Sequence, residues 1–146
     1  VKTRKQITYV VDCYRARWII EEYFKALKTG CQYERRQLTT SKRLLNALAV
    51  LAPVAWRLLL LRHLARHQPE RPVRDALTSS QVSVLRAVSK TPLPGRLSVR
   101  DALMAIARLG GHLRSNGEPG WLVLGRGFHD LLLLERGWSA RVEREK

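Results

Sequence analysis

The stretch Tyr14-Arg-Ala-Arg-Trp-Ile-Ile-Glu-Glu-Tyr-Phe-Lys-Ala-Leu-Lys28 contains no proline or glycine, and neither do its neighbours from Lys5 to Thr29. Helix formers dominate the run, and Gly30 stands where a helix ends in a C-terminal cap. The sequence therefore predicts one long helix over Lys5–Thr29. Its apolar residues do not keep to a single stripe. Ile20, Phe24 and Leu27 share one face, and Val11 and Trp18 lie on another. A helix of this kind is covered on more than one side, as happens inside a larger domain.

Four polar residues of the same helix do share a stripe. Arg17, Glu21 and Lys28 follow Tyr14 at offsets of 3, 7 and 14. At about 100° per residue these fall at roughly 300°, 340° and 320°, so all four occupy an arc of about 60°. One carboxylate is thereby aligned with a guanidinium, an ammonium and a phenol. That layout suits holding a divalent metal and a phosphate chain together. Glu22, about 100° away, reads as structural or surface-facing.

The spacing Tyr14-x2-Arg17-x3-Glu21-x6-Lys28, with Trp18 before the Glu pair and Thr29-Gly30-Cys31 followed by Glu34-Arg35-Arg36 after it, resembles the YREK signature of bacterial cut-and-paste insertion-sequence transposases of the DDE class. The resemblance implies that Glu21 is the third metal-binding carboxylate of an Asp-Asp-Glu set, catalytic with Mg2+ or alternatively Mn2+. It implies that Tyr14, Arg17 and Lys28 contact DNA phosphates near the transposon end. Arg15, Lys25 and Arg35 extend that DNA track by charge alone, as do Arg36, Lys42 and Arg43.

A second stretch resembles the C-terminal dimerisation region of the same family: Ala107-Arg-Leu-Gly-Gly111, then Gly117-Glu-Pro-Gly120, Arg126-Gly-Phe128 and Gly137-Trp138. The two stretches come in the family's order. In that family the two Asp ligands come from strands of an RNase H-like fold. Here the aspartates are Asp12, Asp75, Asp101 and Asp130, and none lies in a strand-like run. The chain thus reads as the C-terminal portion of a transposase, inactive alone, that pairs with itself or with the full-length enzyme. The chain begins at Val1 and its sole methionine is Met104, which fits either initiation at a valine codon or a fragment. Two further readings stay open: a truncated, non-catalytic inhibitor that forms mixed dimers, and a basic helical nucleic-acid binder unrelated to transposition.

The fold class expected is all-α. Residues Cys31–Thr40 read as a polar connection, and Ser41 as the cap of a helix over Lys42–His67. Its apolar run, Leu44–Leu61, nears the length of a membrane span. Asn46, Pro53 and Arg57 interrupt it, and a central Arg costs about 2.5–3.5 kcal/mol in a bilayer. A buried helix kinked near Pro53 is the better reading, with no membrane partner. Proline-rich breaks at 68–72 and 91–95 flank a short helix capped by Ser79 or Ser80 and ending at Val88. Ser98 and Asp101 form a capping-box-like start to a helix ending at Leu109, where Gly110-Gly111 stops it. A turn-rich stretch follows, then a last helix over Leu122–Trp138. The division expected is 1–68 as the end of a catalytic domain, 69–97 as a linker with a short helix, and 98–146 as a helical dimerisation domain.

Composition agrees with a polyanionic partner. Twenty-seven Lys and Arg against 12 Asp and Glu leave a formal charge of +15 over 146 residues, and nucleic acid is the default partner, with a generically basic, ribosomal-type protein the alternative that charge alone leaves open. Cys13 and Cys31 are too few for a disulfide framework or a zinc site, and read as reduced thiols of a cytosolic protein; the transposase resemblance implies a bacterial, nucleoid-associated one. His63 and His67 have metal-ligand spacing without a third ligand, so a surface pair is expected. Gly125-Arg-Gly127 lacks the pattern of a phosphate loop.

Overall fold

The computed structural model describes residues 3–144, and among them it is all-α: five helices and no strand. Helix α1 spans Arg4–Lys25 and opens on a capping box in which Thr3 and Gln6 satisfy each other's backbone N–H. It does not run unbroken to Thr29. Ala26–Gly30 forms a π-helical turn, and Gln32 at φ 52° then reverses the chain. Helix α2 spans Ser41–His67, with Thr40 rather than Ser41 as its cap. Pro53 lies inside it with helix on both sides.

Helix α3 spans Ser79–Val88, and its cap is Thr78, one residue before the expected serines. Thr78 and Gln81 make the reciprocal bonds that serine at 79 or 80 would not have made. Helix α4 spans Val99–Leu109 and begins on the expected Ser98–Asp101 box. Helix α5 spans Trp121–Arg144, so it begins one residue earlier and ends later than the expected Leu122–Trp138.

One core joins these elements. Leu58, Leu61 and Leu64 of α2, Val84 and Leu85 of α3, Leu103 and Ile106 of α4, and Leu124, Phe128 and Leu131 of α5 are buried together. The π turn contributes Ala26 and Leu27 to the same cluster. By length and composition α2 could cross a membrane, its most apolar window having a mean hydropathy of 2.0. Here its second half supplies core leucines, and its Arg57 is bonded to Gln81 at 2.6 Å, inside protein.

Glycines set how close the helices come. A Cβ on Gly125 would lie 1.9 Å from the Gly30 carbonyl oxygen, and one on Gly127 would lie 1.8 Å from that of Ile106. Gly110 is equally constrained, 2.0 Å from the Val123 carbonyl. The Gly125-Arg126-Gly127 run is therefore a contact surface: its two glycines let α5 lie directly on the π turn and on α4. A part-buried polar chain centred on buried Gln81 adds specificity. Gln81 accepts from Arg57 and donates to Glu135 at 2.8 Å, and Thr78 also bonds Glu135 at 3.1 Å. That chain fixes α2, α3 and α5 relative to one another.

Helix α1 is different. None of its residues is buried, and Ile7, Tyr9, Val10, Trp18, Ile20 and Phe24 are exposed. Its C-terminal end is held by the Tyr23 hydroxyl donating to the Ala52 carbonyl at 3.3 Å and by the π turn beneath it.

Candidate nucleic-acid-processing site on the first helix

Straight helix geometry brings three of the four stripe residues into line. The Arg17 guanidinium lies 5.8 Å from the centre of the Tyr14 ring. On its other side it donates to Glu21 at 3.1 Å, an i,i+4 pair. Both side chains remain solvent-accessible, Arg17 at 66% and Glu21 at 40%. An exposed pair of this kind is a weak bond, so Arg17 and Glu21 can be parted by a stronger ligand.

Lys28 is placed by the π turn. A π turn closes i→i+5 hydrogen bonds, so residues within it advance less than the α-helical 100°. Lys28 falls behind the phase of the stripe and pairs with Glu34 at 2.9 Å, not with Glu21. The ion pair ties the end of the stripe to the loop carrying Arg35.

The neighbouring residues differ in their engagements. Glu22 turns toward Lys25, at 3.1 Å, and toward the cleft between α1 and α2. Lys25 also lies over the Trp18 ring at 5.8 Å. Arg15 pairs loosely with Asp12 at 3.8 Å. Arg35 makes no ion pair with a described carboxylate. His63 and His67 stack at 4.3 Å, and burial with the neighbouring His67 lowers the His63 pKa. A lowered pKa disfavours the charged pair. Cys31 is buried, and that burial pushes its thiol up to about 11 against the pull of Arg36, so it is no nucleophile at neutral pH.

Sequence reasoning missed the π turn and the Lys28–Glu34 pair. The signal available for the turn was Gly30, which reads equally as a helix cap.

Residues 1–56 match the family described as Transposase DDE domain. The match takes in the whole stripe, the π turn and the Arg35 loop, and ends inside α2. It supports a transposase-related function, and transposases of this class are enzymes that act on DNA and generally use a divalent metal. The residues described here do not make such a metal site by themselves. Glu21 is held by Arg17, and no group of three or more His, Cys, Asp or Glu side chains converges among the described residues. A two-metal centre needs several carboxylates around ions about 3.5–4 Å apart.

Proposed function

We propose that this chain is the C-terminal portion of a DNA transposase of the YREK type, which cleaves and joins DNA at insertion-sequence ends. The observation carrying this reading is the Tyr14–Arg17–Glu21 line on an exposed helix, inside the segment that matches the transposase DDE domain. In this reading Glu21 is the third carboxylate for Mg2+ or Mn2+, and the other two ligands are aspartates on strands that this chain does not supply. The exposed apolar side of α1 is then the surface that completes an RNase H-like domain, with residues 1–68 as its last part. The chain alone is inactive, and its place is the bacterial cytoplasm, with the nucleoid.

The stripe acts on DNA through charge and position. Arg17 offers a planar fork to two phosphate oxygens, and Lys28 a point charge. Tyr14 donates a hydrogen bond to a third oxygen. Because Arg17 pairs with Glu21 in the absence of DNA, phosphate binding draws the guanidinium away and frees the carboxylate. Duplex DNA binding tests this part. Lys28→Ala should lower the slope of log K against log salt by about 0.9, the value of one phosphate contact. An unchanged slope with Lys28→Ala and Tyr14→Phe would instead identify a basic protein that binds DNA without the stripe.

A second reading rests on the far end of the chain. Leu133, Leu134 and Trp138 of α5 are exposed at 51%, 41% and 44%. That apolar face fits self-association through residues 98–146, as a homodimer or with a full-length transposase. A chain that keeps only this face would inhibit transposition by mixed dimers. Loss of inhibition on changing Trp138, with Glu21 irrelevant, distinguishes this reading from the first.

A further inference from the structure

A second basic feature lies away from the stripe. The π turn, α2 and α5 enclose an open cleft of about 850 Å3. Its floor is aliphatic, formed by Val50, Leu51 and Val54 of α2 and Leu132 and Leu133 of α5. Its rim carries Arg35, Arg36, Arg126, His129 and Arg136, and among the described residues no acidic one lines it. Among the described residues, Arg35, Arg126 and Arg136 make no ion pair, while Arg36 reaches only the Cys31 carbonyl at 3.5 Å. Some cations elsewhere on the surface are paired with a neighbour: Arg17 with Glu21, Lys28 with Glu34, Arg71 with Asp75 and Arg100 with Glu118. Others, Arg43 and Arg74 among them, make no ion pair with a described carboxylate. What marks the cleft is the gathering of several such guanidinium groups around one aliphatic floor.

We propose that this cleft between the π turn, α2 and α5 binds an unpaired DNA strand. Two observations choose that ligand. Unpaired guanidinium groups from two separate elements, Arg35 and Arg36 on the loop and Arg126 and Arg136 on α5, can follow a phosphate backbone along the rim. The aliphatic floor between them needs apolar faces to cover it. A duplex presents phosphates outward and keeps its bases stacked inside. A single strand offers both phosphates and base faces. The aliphatic side chains of the floor read no hydrogen-bond pattern, and apart from the rim arginines the lining side chains able to bond a base edge are Gln32, Asn46 and His129, so sequence preference is modest. The preference for nucleic acid over another polyanion rests on the transposase reading given above. The cleft itself rests only on its own charge and shape.

The experiment measures fluorescence anisotropy of labelled oligothymidylate and of a labelled duplex, titrated with the full chain at several salt concentrations. Wild type is compared with Arg126→Ala/Arg136→Ala and with Val50→Asp, which puts a carboxylate on the exposed part of the floor. Arg74→Ala, on an exposed turn outside the cleft, is the control. Thermal melts confirm that each variant is folded. The double variant should lose about ten-fold in oligothymidylate affinity, with the salt slope reduced by about 1.4 for two lost phosphate contacts. Val50→Asp should weaken the same complex, and Arg74→Ala should not. Duplex binding should change less than two-fold in any of them. Unchanged oligothymidylate binding in both cleft variants overturns the cleft and leaves the stripe reading standing. Equal losses for duplex and single strand overturn the single-strand assignment. If wild type binds neither DNA, both the cleft and the transposase reading fall.

Discussion

Replacing Gly125 or Gly127 by alanine tests the packing that joins the candidate site to the last helix. The new methyl group would meet the Gly30 carbonyl at 1.9 Å or the Ile106 carbonyl at 1.8 Å, against 3.4 Å for ordinary contact. Neither partner is a movable side-chain end; both are backbone. The helices must therefore separate by about 1.5 Å, and even 0.5–1 Å forfeits a quarter to a half of each dispersion contact. Leu124, Phe128 and Leu131, all at 1% exposure or less, sit along the part of α5 that would lift. Overpacking costs about 1–3 kcal/mol, and loosening these three side chains raises the total to about 3–5 kcal/mol. Urea unfolding followed by circular dichroism measures the loss. Gly137→Ala is the control: beyond its own helix backbone and chain neighbours, no described atom lies within 4 Å of its added Cβ. A glycine-to-alanine change within a helix should stabilise by about 0.5–1 kcal/mol. If Gly125→Ala and Gly127→Ala also unfold at or above the wild-type midpoint, the close-crossing account is wrong.

Further outcomes follow from other contacts. Gln81→Ala removes the link between Arg57 and Glu135 and should cost about 1–3 kcal/mol in the same assay, because both charged partners lose a part-buried bond. The Arg100–Glu118 hydrogen bond holds the Glu118 carboxyl below its usual value of 4.5, so its stabilisation is present above that pH and is lost as pH falls through the lower folded value. Glu118→Gln should flatten that acid limb and cost only about 0.2–1 kcal/mol at neutral pH, as an exposed pair would. Iodoacetamide at pH 8 should label exposed Cys13 in the folded protein, and buried Cys31 only after unfolding, as read by mass spectrometry.

Much of the helical layout could be read from the sequence because it depends on local signals. Ser98 and Asp101 announced the start of α4, Gly110 its end, and the absence of proline or glycine announced α1. The caps of α2 and α3 lay one residue earlier than expected, where Thr40 and Thr78 could accept the N3 amide; several adjacent hydroxyls left that choice to geometry. The π turn at Ala26–Gly30 was not legible. Its cause is tertiary: Gly30 has to meet Gly125, nearly a hundred residues away. That contact and the approach of Gly127 to the Ile106 carbonyl together explain why Gly125-Arg126-Gly127, which fits no phosphate loop, is glycine-rich. For the candidate site, the helical period placed Tyr14, Arg17 and Glu21 in line, and the structure joins them. Lys28 departs from that phase because the π turn interrupts the period. The cleft of Arg35, Arg126 and Arg136 draws on distant segments, so no window of sequence could reveal it.

The measurement that bears most directly on the central claim is DNA strand cleavage at a transposon end by the complete transposase, in Mg2+ or Mn2+, comparing Glu21→Gln with Glu22→Gln. The two residues are adjacent, equal in chemistry and charge, and differ only in the face they occupy: Glu21 beside Arg17, Glu22 beside Lys25. Cleavage should be abolished by Glu21→Gln and kept within a few-fold of wild type by Glu22→Gln, with both proteins still binding DNA. Full cleavage by Glu21→Gln, or equal losses in the two variants, would contradict the account.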